Sequence, residues 1–320
     1  MIQELELLTE SSTWKSRPVN YVAGTWSQIK ARIPKFELSD FVEGDESAVN
    51  PYYRTVIRLP LTAMEHRIPI GIVSQSYTLA QHSEVAELCI DGLIKGGIES
   101  KELRCELGLS ELCEWMNFRI YFPDKYNYKS DANDSLNLRL ECFNSVEGNS
   151  RLIIVFGWLR FICSNGMIVG QTIAEMRDIH NRHMELKKIT ELIKDGMSQI
   201  EKDKLIIAEW ENHQLNTEAL KIWINKVLAK KWGKLAACRA YHICLSGRDV
   251  EYKNPFEAAL PTEKGVIELD RVPGSSNGAK NIYDVSQVLS WLATNRNNAE
   301  EKTDWQMQIP ELLSELRSYR

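Results

Sequence analysis

Leu136-Asn137-Leu138-Arg139-Leu140-Glu141-Cys142 alternates apolar with polar side chains at every step, and successive side chains on a strand point to opposite faces of the sheet. The stretch therefore reads as a strand with one buried face and one wet face. It runs into Asn144-Ser145-Val146-Glu147-Gly148-Asn149-Ser150, where Gly148-Asn149 supplies the chemistry of a turn. Arg151 to Cys163 then returns as a long, mostly apolar strand in which Gly157 marks a bulge, so the two runs form a β-hairpin.

Upstream of this hairpin the pattern stays β-rich. Tyr53 to Leu59 and Ile68 to Tyr77 are dense in Val, Ile, Thr and Tyr and read as strands, and Glu102 to Leu107 with Glu114 to Phe122 reads as an antiparallel pair. One central helix interrupts them. Thr78 and Gln81 have capping-box spacing, Leu79, Val85, Ala86, Cys89, Ile90 and Leu93 follow at helical spacing, and Gly96-Gly97 stops the run. Near the start, Thr25 caps a brief helix through Ile33. Glu37, Asp40, Glu43, Asp45 and Glu46 then form an acidic stretch that reads as a solvated loop or, more sharply, as a docking surface for a basic partner.

Downstream the period changes to 3.6. Ile189, Leu192, Ile193, Ile200 and Ile207 share a helical face with a break expected at Gly196, Thr217 caps a helix through Lys231, and Leu235 to Leu245 makes a third. Ser246 to Lys280, with Pro273-Gly274-Ser275-Ser276-Asn277-Gly278, reads as a long loop, and Tyr283 to Thr294 and Pro310 to Arg317 close the chain as helices. The fold class is α+β, an N-terminal antiparallel β-rich half with one central helix and a C-terminal α-helical half. The expected divisions are an N-terminal segment 1–50 with the acidic loop, a β-rich core 51–170, a helical region 171–246, a loop 247–281 and terminal helices 282–320.

With 43% hydrophobic and 26% charged residues in 320, the chain can bury a real core. Its net charge of −5 excludes a generic polyanion binder and leaves only a local basic face for that role. Seven cysteines without a C-x-x-C motif read as reduced, buried thiols of a cytoplasmic protein. The acidic start lacks the basic and apolar regions of a signal peptide, and no apolar run is long enough for a membrane span.

Asn144-Ser145, Gly148, Gly157 and Arg160-Phe161-Ile162-Cys163-Ser164-Asn165-Gly166-Met167 together resemble the signature of the family called domain of unknown function 932, whose members occur on phages, prophages and plasmids. Asn281 to Thr294 resembles the C-terminal segment of its enterobacterial prophage branch, and the likeness extends over about residues 50 to 317. The family usually carries a His-Asp pair before the turn glycine, where this chain has Val146-Glu147. The resemblance implies a mobile-element habitat and no settled activity.

Chemistry is sparse. Cys163 lacks a base fixed nearby by sequence and reads first as part of a strand-end turn. His180 and His183 with Glu185 fall short of a metal shell, and Cys238, His242 and Cys244 sit among core residues, so no metal or cofactor is expected. No Walker A, H-E-x-x-H or G-x-S-x-G motif is present. Between Lys221 and Arg239 there are six basic residues and no acidic one, interleaved with Trp223 and Trp232. Single-strand binders use that mixture, because cations follow phosphates while rings stack on bases.

The leading expectation is a non-enzymatic mobile-element protein that binds single-stranded nucleic acid through Arg160, Arg177, Arg182, Lys187, Lys188, Lys226, Lys230, Lys231 and Lys234, supporting recombination or strand annealing and compatible with a homo-oligomer. A second is a counter-defence protein that inhibits a host immune complex through the acidic surface Glu37, Asp40, Glu43, Asp45 and Glu46. A third is an enzyme centred on Glu147, Arg160 and Cys163.

Overall fold

The computed structural model describes residues 5–8, 12–43, 48–129, 135–160, 165–167, 186–253, 265–275 and 278–319. They form an α+β fold in two compact units, one of residues 1–126, 139–156 and 173–199, the other of 127–138, 157–172 and 200–320.

The first unit is built on strands β1 (Glu6–Leu8), β2 (Thr13–Trp14) and β3 (Arg17–Gly24), the short helix α1 (Trp26–Lys30), strands β4 (Phe36–Glu43), β5 (Ala48–Arg58) and β6 (Ile68–Ser74), helix α2 (His82–Lys95), and strands β7 (Arg104–Ser110) and β8 (Trp115–Tyr121). Beyond β9 (Tyr128–Lys129), strands β10 (Ser135–Ser145) and β11 (Ile153–Arg160) contribute residues to both units. Within the first unit the main sheet runs β1-β3-β7-β8-β10-β11, and β4-β5-β6 form a separate three-stranded sheet. Strands β1 to β3 lie in the expected N-terminal segment 1–50, and β3 pairs with β7 from Val19 to Gly24.

The strand that opened the sequence reading is a strand, but neither of its faces is wet. Cys105, Leu107, Phe118, Ile120, Leu140 and Cys142 share the apolar face by register, with Trp26 of α1 packed on Phe118. On the other face Glu106, Arg119 and Glu141 stand opposite one another in one cross-strand row, and all are buried. Arg119 lies 3.5 Å from Glu106 and 3.7 Å from Glu141, Arg139 also pairs with Glu141, and the Tyr121 hydroxyl donates to Glu106 at 2.9 Å. Tyr21 from β3 lies over the Arg119 guanidinium at 4.6 Å. A polar residue in an alternating strand is thus sealed by finding its opposite charge on the neighbouring strand, which periodicity alone does not reveal.

The turn into α2 is held by hydrogen bonds. The Asn144 amide donates to Ala80 O at 3.0 Å and to His82 Nδ1 at 2.9 Å, which puts the imidazole proton on Nε2, facing Cys113 O at 3.0 Å. The helix therefore starts at His82 and not near Thr78; Gln81 is its N-cap residue, and the Gln81 side chain is spent on the Phe36 backbone. The part of the acidic stretch from Glu37 to Glu43 is not a loop either: β4 pairs with β5, and Asp40 faces Arg54 across the ladder, while Asp45 and Glu46 lie outside the described residues.

Helix α3 (Lys188–Asn212) runs unbroken through Gly196, where a Cβ would come within 2.2 Å of the Phe156 ring, so the glycine serves close packing instead of a break. Its residues from Ile200 onward belong to the second unit. There Asn216, not Thr217, caps α4 (Thr217–Trp223) by accepting from the amides of Glu218 and Ala219. A π-helical turn, Ile224–Leu228, joins it to α5 (Ala229–Lys231), and α6 (Gly233–Ser246) follows. The interval read as a loop carries a hairpin of β13 (Arg248–Tyr252) and β14 (Val266–Arg271). Helix α7 (Ile282–Thr294) is capped by Asn281, and α8 (Ala299–Arg317) begins eleven residues before the expected Pro310 because Asn298 accepts from the amides of Glu300 and Glu301. The short strand β12 (Asn165–Met167) pairs with the end of β11. No helix among the described residues is long and apolar enough to cross a membrane.

Two expected outcomes follow from this packing. Arg119→Met leaves buried carboxylates without their shared cation, a change that costs about 3–5 kcal/mol; urea unfolding should register it, and a loss below about 1 kcal/mol would mean that water reaches the row. Asp203 of α3 is buried on the same helical face as Ile200 and Ile207, and desolvation lifts its carboxyl from 3.8 to about 7. A carboxyl raised in the folded state costs nothing below its unfolded value, and its penalty grows as pH climbs from about 4 to about 7. Asp203→Asn should therefore stabilise the protein by on the order of a few kcal/mol near pH 8 and by little near pH 4, read from unfolding curves at both.

Candidate nucleic-acid interface

In the second unit, α5 ends at Lys231 and α6 starts at Gly233, whose φ of +85° turns the chain sharply after Trp232. The Trp232 ring stacks on Trp305 of α8 with centroids 4.3 Å apart and planes 15° from parallel, and its Nε1 donates to Gln308 at 3.0 Å. Arg296, from the turn between α7 and α8, lies over Trp305 at 4.6 Å and is held by Glu301 at 2.7 Å. The result is an aromatic platform in which Trp232 and Arg296 both pack on Trp305.

This platform borders an open cleft of about 720 Å³ between α6, β13 and α8, whose lining also includes Lys234, Leu235, Arg239, Glu251 and Tyr252. Arg239 grips Asp249 with a two-pronged hydrogen bond, Nε to Oδ1 at 2.9 Å and Nη2 to Oδ2 at 2.6 Å, which raises its pKa and ties α6 to β13. Burial and a hydrogen bond with Cys238 push the Tyr252 hydroxyl up, so it stays protonated and donates. Lys234 is exposed and has no carboxylate partner among the described residues. A cleft of this size suits a nucleotide-sized ligand, with rings for stacking and cations for phosphate.

The sequence-expected lysines divide. Lys226, Lys230 and Lys234 are exposed, whereas Lys231 sits between Glu311 at 2.9 Å and Glu315 at 3.0 Å. Burial lowers the Lys231 pKa, but those two carboxylates outweigh it and hold the ammonium charged and occupied. Trp223 is wholly buried and offers no stacking surface. Lys187 and Lys188 are exposed at the head of α3, in the first unit. Arg160 stands opposite Asn165 on β11, its side chain outside the described residues, as are Arg177, Arg182, Cys163, His180, His183 and Glu185 entirely. Sequence reasoning missed Tyr252, which lies in the interval read as a loop, and Arg296 and Trp305, which fall between the two helices expected in the terminal segment 282–320.

The remaining candidates are placed as follows. Glu147 bonds Lys15 at 2.8 Å beside the turn, where Gly148 has φ +78°. Glu37 pairs with Arg67, Glu43 stands opposite Ala48, and Asp45 and Glu46 lie outside the described residues. The six described cysteines are buried thiols that form no disulfide among the described residues, and desolvation lifts Cys105 and Cys244 to about 12, far from thiolate chemistry. Among the described residues no group of three or more His, Cys, Asp and Glu is arranged to hold a metal ion.

Residues 69–304 match the family model described as Domain of unknown function (DUF932). No curated protein and no solved structure matches.

Proposed function

Since the chain belongs to the family described as Domain of unknown function (DUF932), we propose a function from the site itself: binding of single-stranded nucleic acid in the cleft of the second unit, as a non-enzymatic mobile-element protein that supports recombination or strand annealing. The observation that carries this reading is that Lys234, Arg239 and Arg296 share one open cleft with Trp232, Trp305 and Tyr252. Trp232 is buried, whereas Trp305 is partly exposed with the Arg296 guanidinium over its ring, and Tyr252 lines the same cleft. Unpaired bases stack on such planes, at about 1–3 kcal/mol per base for aromatic platforms.

Glu251 and Glu301 also border the cleft, and the whole chain carries a net charge of −5. Binding is therefore modest, sensitive to salt, and led by stacking more than by phosphate attraction.

A second reading is favoured by one observation. Val42, Val49, Tyr52, Tyr53, Met64 and Ile72, all on or beside the β4-β5-β6 sheet, are exposed large apolar residues next to the edge strand that carries Glu37, Asp40 and Glu43. Val42 stands opposite Val49 across the ladder, and paired exposed apolar side chains of this kind mark protein contact sites. This supports the counter-defence role, with a host immune complex as partner in the cytoplasm.

Titration of wild-type protein with a labelled oligothymidylate at low salt should quench tryptophan fluorescence, and Arg296→Ala should weaken binding about 5- to 10-fold through the lost stacking plane. Lys231→Ala should leave affinity unchanged, its ammonium being committed to Glu311 and Glu315. Absence of binding even at low salt would sink the nucleic-acid reading. For the alternative, co-purification of a defined host immune complex with the wild type but not with Ile72→Asp is the expected result; equal retention by both would remove the sheet surface from consideration.

A further inference from the structure

We propose that the groove between α2 and the head of α3, in the first unit, is a phosphate-binding site that does not depend on the cleft of the second unit. Leu88 and Lys95 line it from α2, and Lys187, Thr190, Glu191 and Lys194 line it from the start of α3, around a volume of about 560 Å³. On α2 Leu88 and Lys95 are seven apart and share one helical face, and on α3 Thr190, Glu191 and Lys194 lie at helical spacing, with Lys187 one residue before the helix.

Some lysines of this acidic chain pair with carboxylates, Lys15 with Glu147, Lys30 with Glu87, Lys125 with Glu102, Lys204 with Glu201 and Lys231 with Glu311, and others, Lys234 among them, do not; what sets this groove apart is that three of the latter line one space. Lys95, Lys187 and Lys194 are exposed, converge on one groove and have no such partner among the described residues, although Glu191 lines the same space. The walls are also close together. Gly92 of α2 abuts Ile193, and a Cβ there would lie 2.9 Å from the Ile193 Cβ. A groove that gathers three ammoniums and a Thr190 hydroxyl against a single carboxylate is chemistry for phosphoryl oxygens.

The phosphates come either from a nucleic-acid backbone or from a free polyphosphate compound, and the test separates the two. Calorimetric titration of the full chain with inorganic tripolyphosphate should show binding, and Lys95→Ala/Lys187→Ala/Lys194→Ala should weaken it at least about 10-fold while Arg296→Ala leaves it unchanged. The corresponding triple Lys→Arg variant, which keeps the charges, should bind like wild type, so that loss in the alanine variant is not loss of fold. With an oligothymidylate, the alanine variant should lower the slope of log K against log salt by about 2, at about 0.7 per phosphate contact on a single strand. A response to tripolyphosphate with no change in the oligonucleotide slope assigns the groove to a free phosphate compound. If the wild type binds no oligonucleotide but binds tripolyphosphate through these lysines, the cleft reading falls and the groove stands. Failure of wild type to bind tripolyphosphate, or equal binding by the alanine variant, overturns the proposal.

Discussion

Two carboxylates and two guanidiniums without access to water are the constraint on which the first unit depends. Glu106, Arg119 and Glu141 occupy one row across β7, β8 and β10, with Arg139 joining Glu141 from the same strand. A buried charge is tolerated only beside its counterpart. Because side chains alternate faces at each step, a slip of one residue in any of these strands would drive a charge into the apolar layer of Leu107, Phe118 and Leu140 and bring a leucine among the ions. The ion row therefore fixes register more strictly than the apolar face does, since an apolar face tolerates one large residue in place of another. Register fixed at β10 in turn places Asn144 against His82, and this contact sets where α2 begins.

Much of the architecture was legible, and the failures share a cause. Local signals were read well where the decisive partners lie nearby in sequence: the α1 cap at Thr25 with Gln28, the end of α2 at Gly96-Gly97, and the turn at Gly148. Reading failed where the partner is distant. Arg139 and Glu141 look solvated until Arg119 and Glu106 are brought alongside, and the acidic run at 37–43 looks like a loop until β5 pairs with it. Neighbouring Gly, Pro and Ser hide the hairpin of β13 and β14, and Pro310 imitates a helix start although it lies inside α8.

The candidate site shows the same division. A run of lysines with two tryptophans marks the right region, but the sequence gives no means of telling which residues share a face. The π-helical turn at Ile224–Leu228 inserts extra backbone into the α4-to-α5 rod, and Lys231 meets the carboxylates of α8 while Lys226 and Lys230 stay in water. Trp223 enters the core, and Trp232 works through Trp305 and Arg296, residues more than sixty positions away. The cleft is an assembly of α6, β13 and α8, and no single segment contains its logic.

The contact between Gly92 and Ile193 has a meaning beyond packing. It lets the backbone of α2 rest directly against a side chain of α3, so the spacing of the two helices that carry the lysine-lined groove is set by a missing Cβ. An alanine at position 92 would have to push Ile193 aside and so shift α3 against α2, moving the groove's lysines relative to one another without touching a single charge.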